Sequence, residues 1–252
     1  MFLKYFVILA LFAVTLHGLD YCDKSLCKKG KHIACNHKGT FKSHCPDGIR
    51  LVSMNSNMQN IFLNQHNLVR DLVAGGKHPR GFDRAARMCS MVWDPTLAYF
   101  ATLNVYNCNG LHDDCRAHPN FPSIGQNLYE GYDSNPITAE SVIEKAVQRW
   151  HKEAEKTSKH QLSKLNGASG IGHFTQLVND RACKIGCAVA LWDVKKRHQF
   201  YVVCNYSFGN LVETSAYKVK GDKCKKGYHP DHRNLCHPDE AHIIHEATMN
   251  EK

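Results

Sequence analysis

The chain has 252 residues, an apolar fraction of 43% and a formal net charge of +9 at pH 7, which describes an ordinary soluble protein with a core. The positive charge favours loose association with acidic surfaces, but the basic residues are scattered and lack interleaved aromatic residues, so we expect no nucleic-acid site. Twelve cysteines, a high and even number, indicate an oxidising compartment in which all are paired.

The first residues are typical of a signal peptide. Lys4 precedes an uncharged apolar run over residues 5–16, and Gly18 supplies a small residue at a plausible cleavage point. The run is too short to span a bilayer comfortably, and no second apolar run follows it. We therefore expect residues 1–18 to be removed, and the product to be secreted without a membrane span. Because Lys4 is the one charged residue lost, the net charge becomes +8.

Residues 19–50 form a cysteine-rich segment with few apolar groups, so it cannot order itself by burial and must be held by disulfides. Its cysteines are Cys22, Cys27, Cys35 and Cys45. Histidines alternate with these cysteines, as in a zinc knuckle. The spacings, however, contain none of the CxxC pairs that a structural zinc site prefers, so they favour disulfides.

Three helices are predicted within a core domain of residues 51–212. A capping box beginning at Ser56 opens the first helix, and Gly75-Gly76 ends it. Asp94 caps the second helix, with Pro95 in its first turn. The third is predicted to begin at Asn135-Pro136, with a buried apolar stripe at helical spacing. His66 lies on the apolar side of the first helix, and we expect it to be a buried structural histidine.

Three strands are predicted in the second half of the chain. Residues 172–178 alternate in polarity, and Cys187–Val194 and Gln199–Tyr206 form a hairpin. Residues 108–127 are predicted to be a loop. Helices followed by antiparallel strands indicate an α+β fold. Residues 213–252 are polar and are predicted to be a small looped extension with a frayed end.

Four stretches, taken together, resemble the signature motifs of the superfamily of cysteine-rich secretory proteins, antigen 5 and plant pathogenesis-related proteins. They are Gln65-His66-Asn67-Leu68-Val69-Arg70, Gly125-Gln126-Asn127-Leu128, residues 172–178 and Tyr201-Val202-Val203-Cys204-Asn205-Tyr206. The resemblance runs from about Tyr21 to about Val212 and is closest to insect antigen-5 proteins of the fly type. It implies a three-layer α/β/α sandwich with a central antiparallel sheet.

The resemblance also implies a disulfide map. The family pattern gives Cys22–Cys35, Cys27–Cys115, Cys45–Cys108 and Cys187–Cys204. The four remaining cysteines lie outside that pattern. Cys224–Cys236 would close the C-terminal extension, which leaves Cys89–Cys183.

Members of this superfamily gather two histidines and two acidic residues in a central cleft. On this chain the matching residues are His112, His173 and Glu153, whereas the fourth position is Gln126, which removes a carboxylate from any acid/base pair. We expect His112, His173 and Glu153 to form a hydrogen-bonded network that joins loop, helix and sheet. The alternative is a weak zinc site open to water, with no cofactor required.

No catalytic motif is present. The chain has no GxSxG elbow, no HExxH helix and no phosphate loop, and paired cysteines supply no thiol nucleophile. The first hypothesis is therefore a non-enzymatic secreted binding protein of antigen-5 type. The resemblance suggests a salivary or venom component that sequesters host mediators, small lipids or plasma proteins.

Two alternatives remain. The first is a metal-assisted hydrolase that uses His112 and His173. The second is an integrin-directed ligand, because Lys220-Gly221-Asp222 can mimic an RGD tripeptide when a disulfide-bounded loop presents it. A channel-directed toxin would need a more cysteine-rich C-terminal module than Cys224 and Cys236 provide. The one glycosylation sequon, at Asn205, lies at a strand end where access is poor.

Overall fold

The structure, a computed structural model, describes residues 19–121 and 123–249. The predicted signal peptide lies outside these residues. In the part of the chain that is described, no helix is long and apolar enough to cross a membrane.

A five-stranded sheet forms the middle layer. Its strands are β1 (Arg50–Leu51), β2 (Val92–Trp93), β3 (Gly125–Asp133), β4 (Lys184–Val194) and β5 (Arg197–Tyr206). The order is β1-β4-β5-β3 with antiparallel neighbours, and the short β2 pairs with β4 in parallel. The predicted hairpin is confirmed, with Lys195 in the left-handed conformation (φ 54°) at its turn.

Helices cover both faces of the sheet. They are α1 (Ser56–Ala74), α2 (Pro95–Asn107), α3 (Ala139–His151), α4 (Lys159–Ser163), α5 (Gly172–Leu177) and α6 (Ala241–Met249). On one face, Ala101 and Val105 of α2 pack against Ala188 and Val203. On the other face, α1 and α3 bury their apolar stripes against the opposite side of β4 and β5. This arrangement confirms the predicted α/β/α sandwich.

Six disulfides hold the chain together, and their pairings are those that the sequence analysis gives. They are Cys22–Cys35, Cys27–Cys115, Cys45–Cys108, Cys89–Cys183, Cys187–Cys204 and Cys224–Cys236. Two of them tie the N-terminal segment to the chain between α2 and β3. That chain carries His112, so these bridges fix one wall of the cleft.

The predicted strand over residues 172–178 is wrong, because these residues form α5. Phe174, Thr175, Gln176 and Leu177 are all buried, so the alternation in polarity does not correspond to two faces. The carboxylate of Glu153 accepts the first N–H groups of the helix, which compensates for their lack of helical partners. The residue that makes this short helix favourable is therefore distant in sequence.

The predicted loop over residues 108–127 ends too late, because β3 already begins at Gly125. β3 pairs with β5 from Gly125↔Tyr206 to Asp133↔His198. Because β5 supplies the hydrogen-bond partners, this polar stretch forms a strand. Two helix starts also differ. Asn55 rather than Ser56 caps α1, and the capping box of α3 consists of Thr138 and Ser141.

The C-terminal extension is not the looped appendage that was predicted, because it contains α6, whose Ala241 and Ile244 pack on Cys89 and Cys183. The predicted fraying of the end falls on residues 250–252, which lie outside the described residues. The backbone of the extension also pairs with the core, since Cys236 N–H donates to the carbonyl of Met88 at 2.8 Å. The sequence signal for α6 is weak because its apolar stripe is only two turns long.

Candidate functional site

The cleft lies between the loop before β3, the 3₁₀ turn Lys152–Lys156 that follows α3, and the start of α5. Its volume is about 610 Å³. His112, Gln126, Glu153 and His173 all line it, so the fold brings together the four positions that the resemblance identified. They form two separate pairs, one on each wall.

His173 and Glu153 form the first pair. The Nδ1–H of His173 donates to Glu153 Oε1 at 2.7 Å, while Glu153 Oε2 accepts the backbone N–H groups of His173 and Phe174 at 2.8 and 3.1 Å. Burial alone would raise the pKa of Glu153, but these hydrogen bonds from His173 and Phe174 outweigh it and lower the pKa. Both carboxylate oxygens therefore accept hydrogen bonds, and the Nε2 of His173 has no hydrogen-bond partner among the described residues.

His112 and Gln126 form the second pair. The Nδ1–H of His112 donates to Gln126 Oε1 at 2.7 Å, and Arg116 donates to the same oxygen at 3.0 Å. The Nε2 amide of Gln126 donates to Asp113 Oδ1 at 2.9 Å and to Asn205 Oδ1 at 3.0 Å. Gln126 thus makes all four hydrogen bonds that a primary amide can make.

This geometry accounts for glutamine at the position where the family has a glutamate. Arg116 has only donors, so it fixes the amide oxygen on its own side. The other side of Gln126 faces two acceptors, the carboxylate of Asp113 and the amide oxygen of Asn205, and only a donor satisfies them. Asp113 itself pairs with Arg116 Nε at 2.6 Å. A neutral amide side chain can bridge Arg116, Asp113 and Asn205 without adding an unpaired charge.

Behind the cleft, a buried chain of hydrogen bonds links the signature stretches. Asn127 Nδ2 donates to the carbonyl of His173 and to the Tyr206 hydroxyl at 3.1 and 3.2 Å. The Tyr206 O–H lies 2.9 Å from His66 Nε2, and His66 Nδ1–H donates to the carbonyl of Phe62 at 2.7 Å. His66 is completely buried, as predicted, and burial lowers its pKa to about 4. It is a neutral structural link between α1 and β5.

Arg70 has a role that sequence reasoning missed. The side chain is completely buried and donates to the carbonyls of Cys89, Leu177 and Asn179 at 2.8–3.0 Å. Burial lowers its pKa to about 10, so it stays charged at neutral pH. It ties α1 to the end of α5. The position of Arg70, four residues after His66 on the same helix face, was the available signal.

The metal-ligand groups do not form a closed site. Among the described residues, the one set of three candidate ligand residues with their ligand atoms within 4.8 Å is Cys224, Cys236 and Glu240. The two sulfurs of that set form a disulfide, so they are not thiolate ligands. In the cleft, the Nε2 atoms of His112 and His173 are ring nitrogens with no hydrogen-bond partner in the described part of the chain. The predicted ligands His112, His173 and Glu153 are not such a set, so their ligand atoms do not all lie within 4.8 Å of one another. Glu153 and Gln126 instead each accept a hydrogen bond from the Nδ1 of one imidazole.

Two other predicted features lie away from the cleft. The Lys220-Gly221-Asp222 motif is exposed but lies outside the loop that Cys224–Cys236 closes, and Asp222 lies 3.8 Å from Arg87. The sequon residue Asn205 is completely buried, and its Nδ2 donates to the carbonyl of Leu97. The folded protein therefore leaves no room for a glycan at this side chain.

The chain matches the model of the cysteine-rich secretory protein family (CAP) over residues 63–206. It is 40% identical to "Venom allergen-1" of Aedes aegypti over 230 residues, with 88% of each chain covered. It is 30% identical to "Venom allergen 5" of the wasp Dolichovespula arenaria, covering 80% of this chain and all of that one. Among solved structures, it is similar to NaASP2 with Zn²⁺, at 28% identity and a TM-score of 0.59, covering 77% of this chain and all of the other.

Proposed function

We propose that this chain, which belongs to the cysteine-rich secretory protein family, is a secreted, non-enzymatic binding protein of the venom-allergen type. Its central cleft binds a divalent cation such as Zn²⁺ weakly through His112 and His173. The partner that it sequesters is an extracellular ligand, a small lipid or a protein. Membership of the family, the six disulfides and the venom-allergen relatives support the extracellular location.

One observation carries the metal part of the proposal. Each cleft imidazole uses Nδ1–H as a donor, to Glu153 Oε1 or to Gln126 Oε1, so each presents Nε2 as the nitrogen with a lone pair. Hydrogen bonding at one ring nitrogen is how proteins fix the tautomer of a histidine that binds a metal with the other. Two nitrogen ligands are fewer than the four of a structural zinc site, so water completes the coordination and affinity is low. When bound, the ion would supply a positive charge to the cleft.

The hydrogen bonds of the cleft favour binding over hydrolysis. A general base needs a carboxylate or imidazole with a lone pair directed at a water molecule. Glu153 has both oxygens engaged, and Gln126 is a neutral amide whose oxygen accepts two hydrogen bonds. A cation bound to both Nε2 atoms would also occupy the two imidazoles, so it would lack a placed base, and without the cation the site lacks a polarised water molecule. We therefore expect no peptide hydrolysis with or without added zinc.

Calorimetric titration tests the metal site. We expect wild type to bind Zn²⁺ weakly, with affinity falling under acidic conditions because a protonated imidazole has no lone pair to donate. His112→Ala and His173→Ala should each abolish measurable binding. His242→Ala, an exposed histidine on α6, is the matched control and should leave binding unchanged. Unchanged affinity in both cleft variants would place the ion on the histidine-rich extension instead.

A second candidate function is integrin recognition by Lys220-Gly221-Asp222. The Asp222 side chain is 72% exposed, and Gly221 has φ +139°, a conformation that other residues rarely adopt. Lys220 and Asp222 are both exposed, and Asp222 also lies 3.8 Å from Arg87, a contact that a receptor would have to replace. We expect Asp222→Ala to abolish binding to immobilised integrin without changing the melting temperature. Binding by the variant at the wild-type level would refute this function.

A further inference from the structure

The N-terminal segment is rich in exposed lysines, none of which lines the cleft. Residues 24–46 contain six lysines and no acidic residue, although the whole chain has 23 acidic residues. All six side chains belong to exposed residues, and none forms an ion pair within the part of the chain that the structure describes. They are Lys24, Lys28, Lys29, Lys31, Lys38 and Lys42. We call these six residues the lysine face.

The lysine face is held rigidly although its segment has little regular secondary structure. Cys22–Cys35, Cys27–Cys115 and Cys45–Cys108 fasten the segment along its length. Backbone hydrogen bonds add to them, since Lys42 N–H donates to the carbonyl of Tyr106 at 3.0 Å. Lys31 and Lys42 line one surface depression of about 250 Å³, so the fold brings separate parts of the segment together. A fixed backbone lowers the entropic cost of binding a charged partner.

The spacing of the lysines is that of a polyanion-binding patch. Lys28, Lys29 and Lys31 occupy three of four consecutive positions, and Gly30 between them is left-handed (φ 72°). Short lysine-rich stretches of this kind bind heparin or nucleic acid. Asp23 and Asp47 flank the segment in sequence, whereas Asp114 lies against Gly30, between Lys29 and Lys31. Asp113 and Asp114 also line the depression that holds Lys31 and Lys42, so two carboxylates lie beside the lysine face there.

The aromatic residues of the segment favour a polysaccharide over a nucleic acid. Single-stranded nucleic acids are bound by aromatic side chains on which bases stack. Here Tyr21 stacks on His32 and Phe41 packs edge-on against Tyr106, so both rings are occupied within the protein. We propose that the lysine face is a docking site for a linear sulfated polysaccharide of the heparin type. None of the six lysines lines the cleft, although His112 lines both the cleft and the depression that holds Lys31 and Lys42.

The chain contains its own control for this proposal. Cys224-Lys225-Lys226-Gly227 repeats the sequence Cys27-Lys28-Lys29-Gly30, and Gly227 is also left-handed (φ 82°). In this second copy the backbone N–H groups of both lysines donate to the buried carboxylate of Glu240 at 2.7 and 3.0 Å. This carboxylate is buried directly beneath the two lysines, whereas the carboxylate beside the first copy, that of Asp114, is exposed to solvent. We expect the second copy to contribute little to polyanion binding.

The experiment measures heparin binding by titration at several salt concentrations, with a chelator present so that the metal site has no influence. Lys28→Gln/Lys29→Gln is compared with Lys225→Gln/Lys226→Gln, which removes the same charge from the same tetrapeptide. We expect the first double variant to bind at least 10-fold more weakly near 0.15 M salt. The slope of log Kd against log salt should fall by about two, because two lysines no longer neutralise sulfate groups. The second variant should stay within about twofold of wild type.

Three outcomes would overturn the proposal. Equal weakening of the two double variants would mean that net charge alone drives binding. Equal affinity for heparin and desulfated heparin would exclude recognition of sulfate groups. Tighter binding to single-stranded RNA or to phosphatidylserine vesicles than to heparin would assign the lysine face to another class of partner.

Discussion

At the scale of single residues, Gln126 defines the chemistry of the cleft. It replaces the acidic residue of the family motif, and the structure shows what that replacement achieves. Its amide oxygen accepts a hydrogen bond from the guanidinium of Arg116, and its amide nitrogen donates one to the carboxylate of Asp113. The loop that carries His112 is thereby joined to β3 and β5 through one neutral side chain.

We expect Gln126→Glu to destabilise the fold by about 1–3 kcal/mol at pH 7, since a carboxylate would place an acceptor against Asp113 Oδ1 and Asn205 Oδ1. The penalty should shrink near pH 4.5, because a protonated glutamate can donate to Asp113 again. Urea denaturation at both pH values measures it. Gln148→Glu, on an exposed position of α3, is the control with little expected effect. Equal stability of Gln126→Glu and wild type at pH 7 would contradict this account of the amide.

At the scale of elements, a glycine on β4 allows α2 to approach the sheet closely. Gly186 lies on β4 directly beneath the start of α2, and a Cβ there would overlap the backbone of Asp94, Leu97 and Ala98. Because these are backbone atoms of a capped helix, they cannot move aside singly. Glycine at this position is required by packing and not by its backbone conformation.

Gly186→Ala should therefore cost more than about 3 kcal/mol, the range of severe overpacking in a core. Gly172→Ala is the matched control, because no atom lies within 4 Å of its Cβ position and it occupies the first turn of α5. There we expect no loss, and a gain of up to about 1 kcal/mol from better helix propensity. Thermal unfolding of the two variants decides the matter. A mild loss in Gly186→Ala would mean that α2 can lift from the sheet.

The elements also show what the sequence could predict. Periodicity correctly identified the buried face of α1 with His66, and capping residues identified Asp94 and Gly75 at helix ends, because these signals are local. The structure of residues 172–178 could not be read in this way. The helix start is satisfied by Glu153, about twenty residues earlier, and alternation over seven residues resembles a strand. The start of β3 at Gly125 likewise depends on its pairing with Tyr206. The cleft residues were found by resemblance, whereas their division into two pairs required the fold.

At the scale of the whole molecule, stability depends on groups that are buried in the neutral state. His66 is completely buried and its pKa is lowered to about 4 by burial. The unfolded chain binds a proton at this histidine near pH 6.5, whereas the folded chain resists it. The contribution of His66 to the free energy of unfolding is thus fully present above pH 6.5 and is lost as the pH falls toward 4.

We expect the free energy of unfolding to drop by about 2–3 kcal/mol between pH 7.5 and 4.5 through His66 alone, from the linkage of its pKa to folding. In His66→Gln the total drop should be smaller by that amount, although this variant is less stable at pH 7.5. His242→Gln on the surface of α6 should keep the wild-type dependence. Denaturant titrations at the two pH values provide the comparison. An unchanged pH dependence in His66→Gln would show that other groups cause the acid sensitivity.

The packing of α6 on Cys89–Cys183 imposes an order on oxidative folding. Both cysteines are completely buried, and Ala241 and Ile244 cover them. An oxidoreductase cannot reach these sulfurs once α6 is docked, so this bridge must close before the C-terminal extension settles. In the reverse direction, α6 protects the bridge from reductants until the extension detaches. The last helix that the structure describes therefore protects, kinetically, a bond that formed before the helix docked.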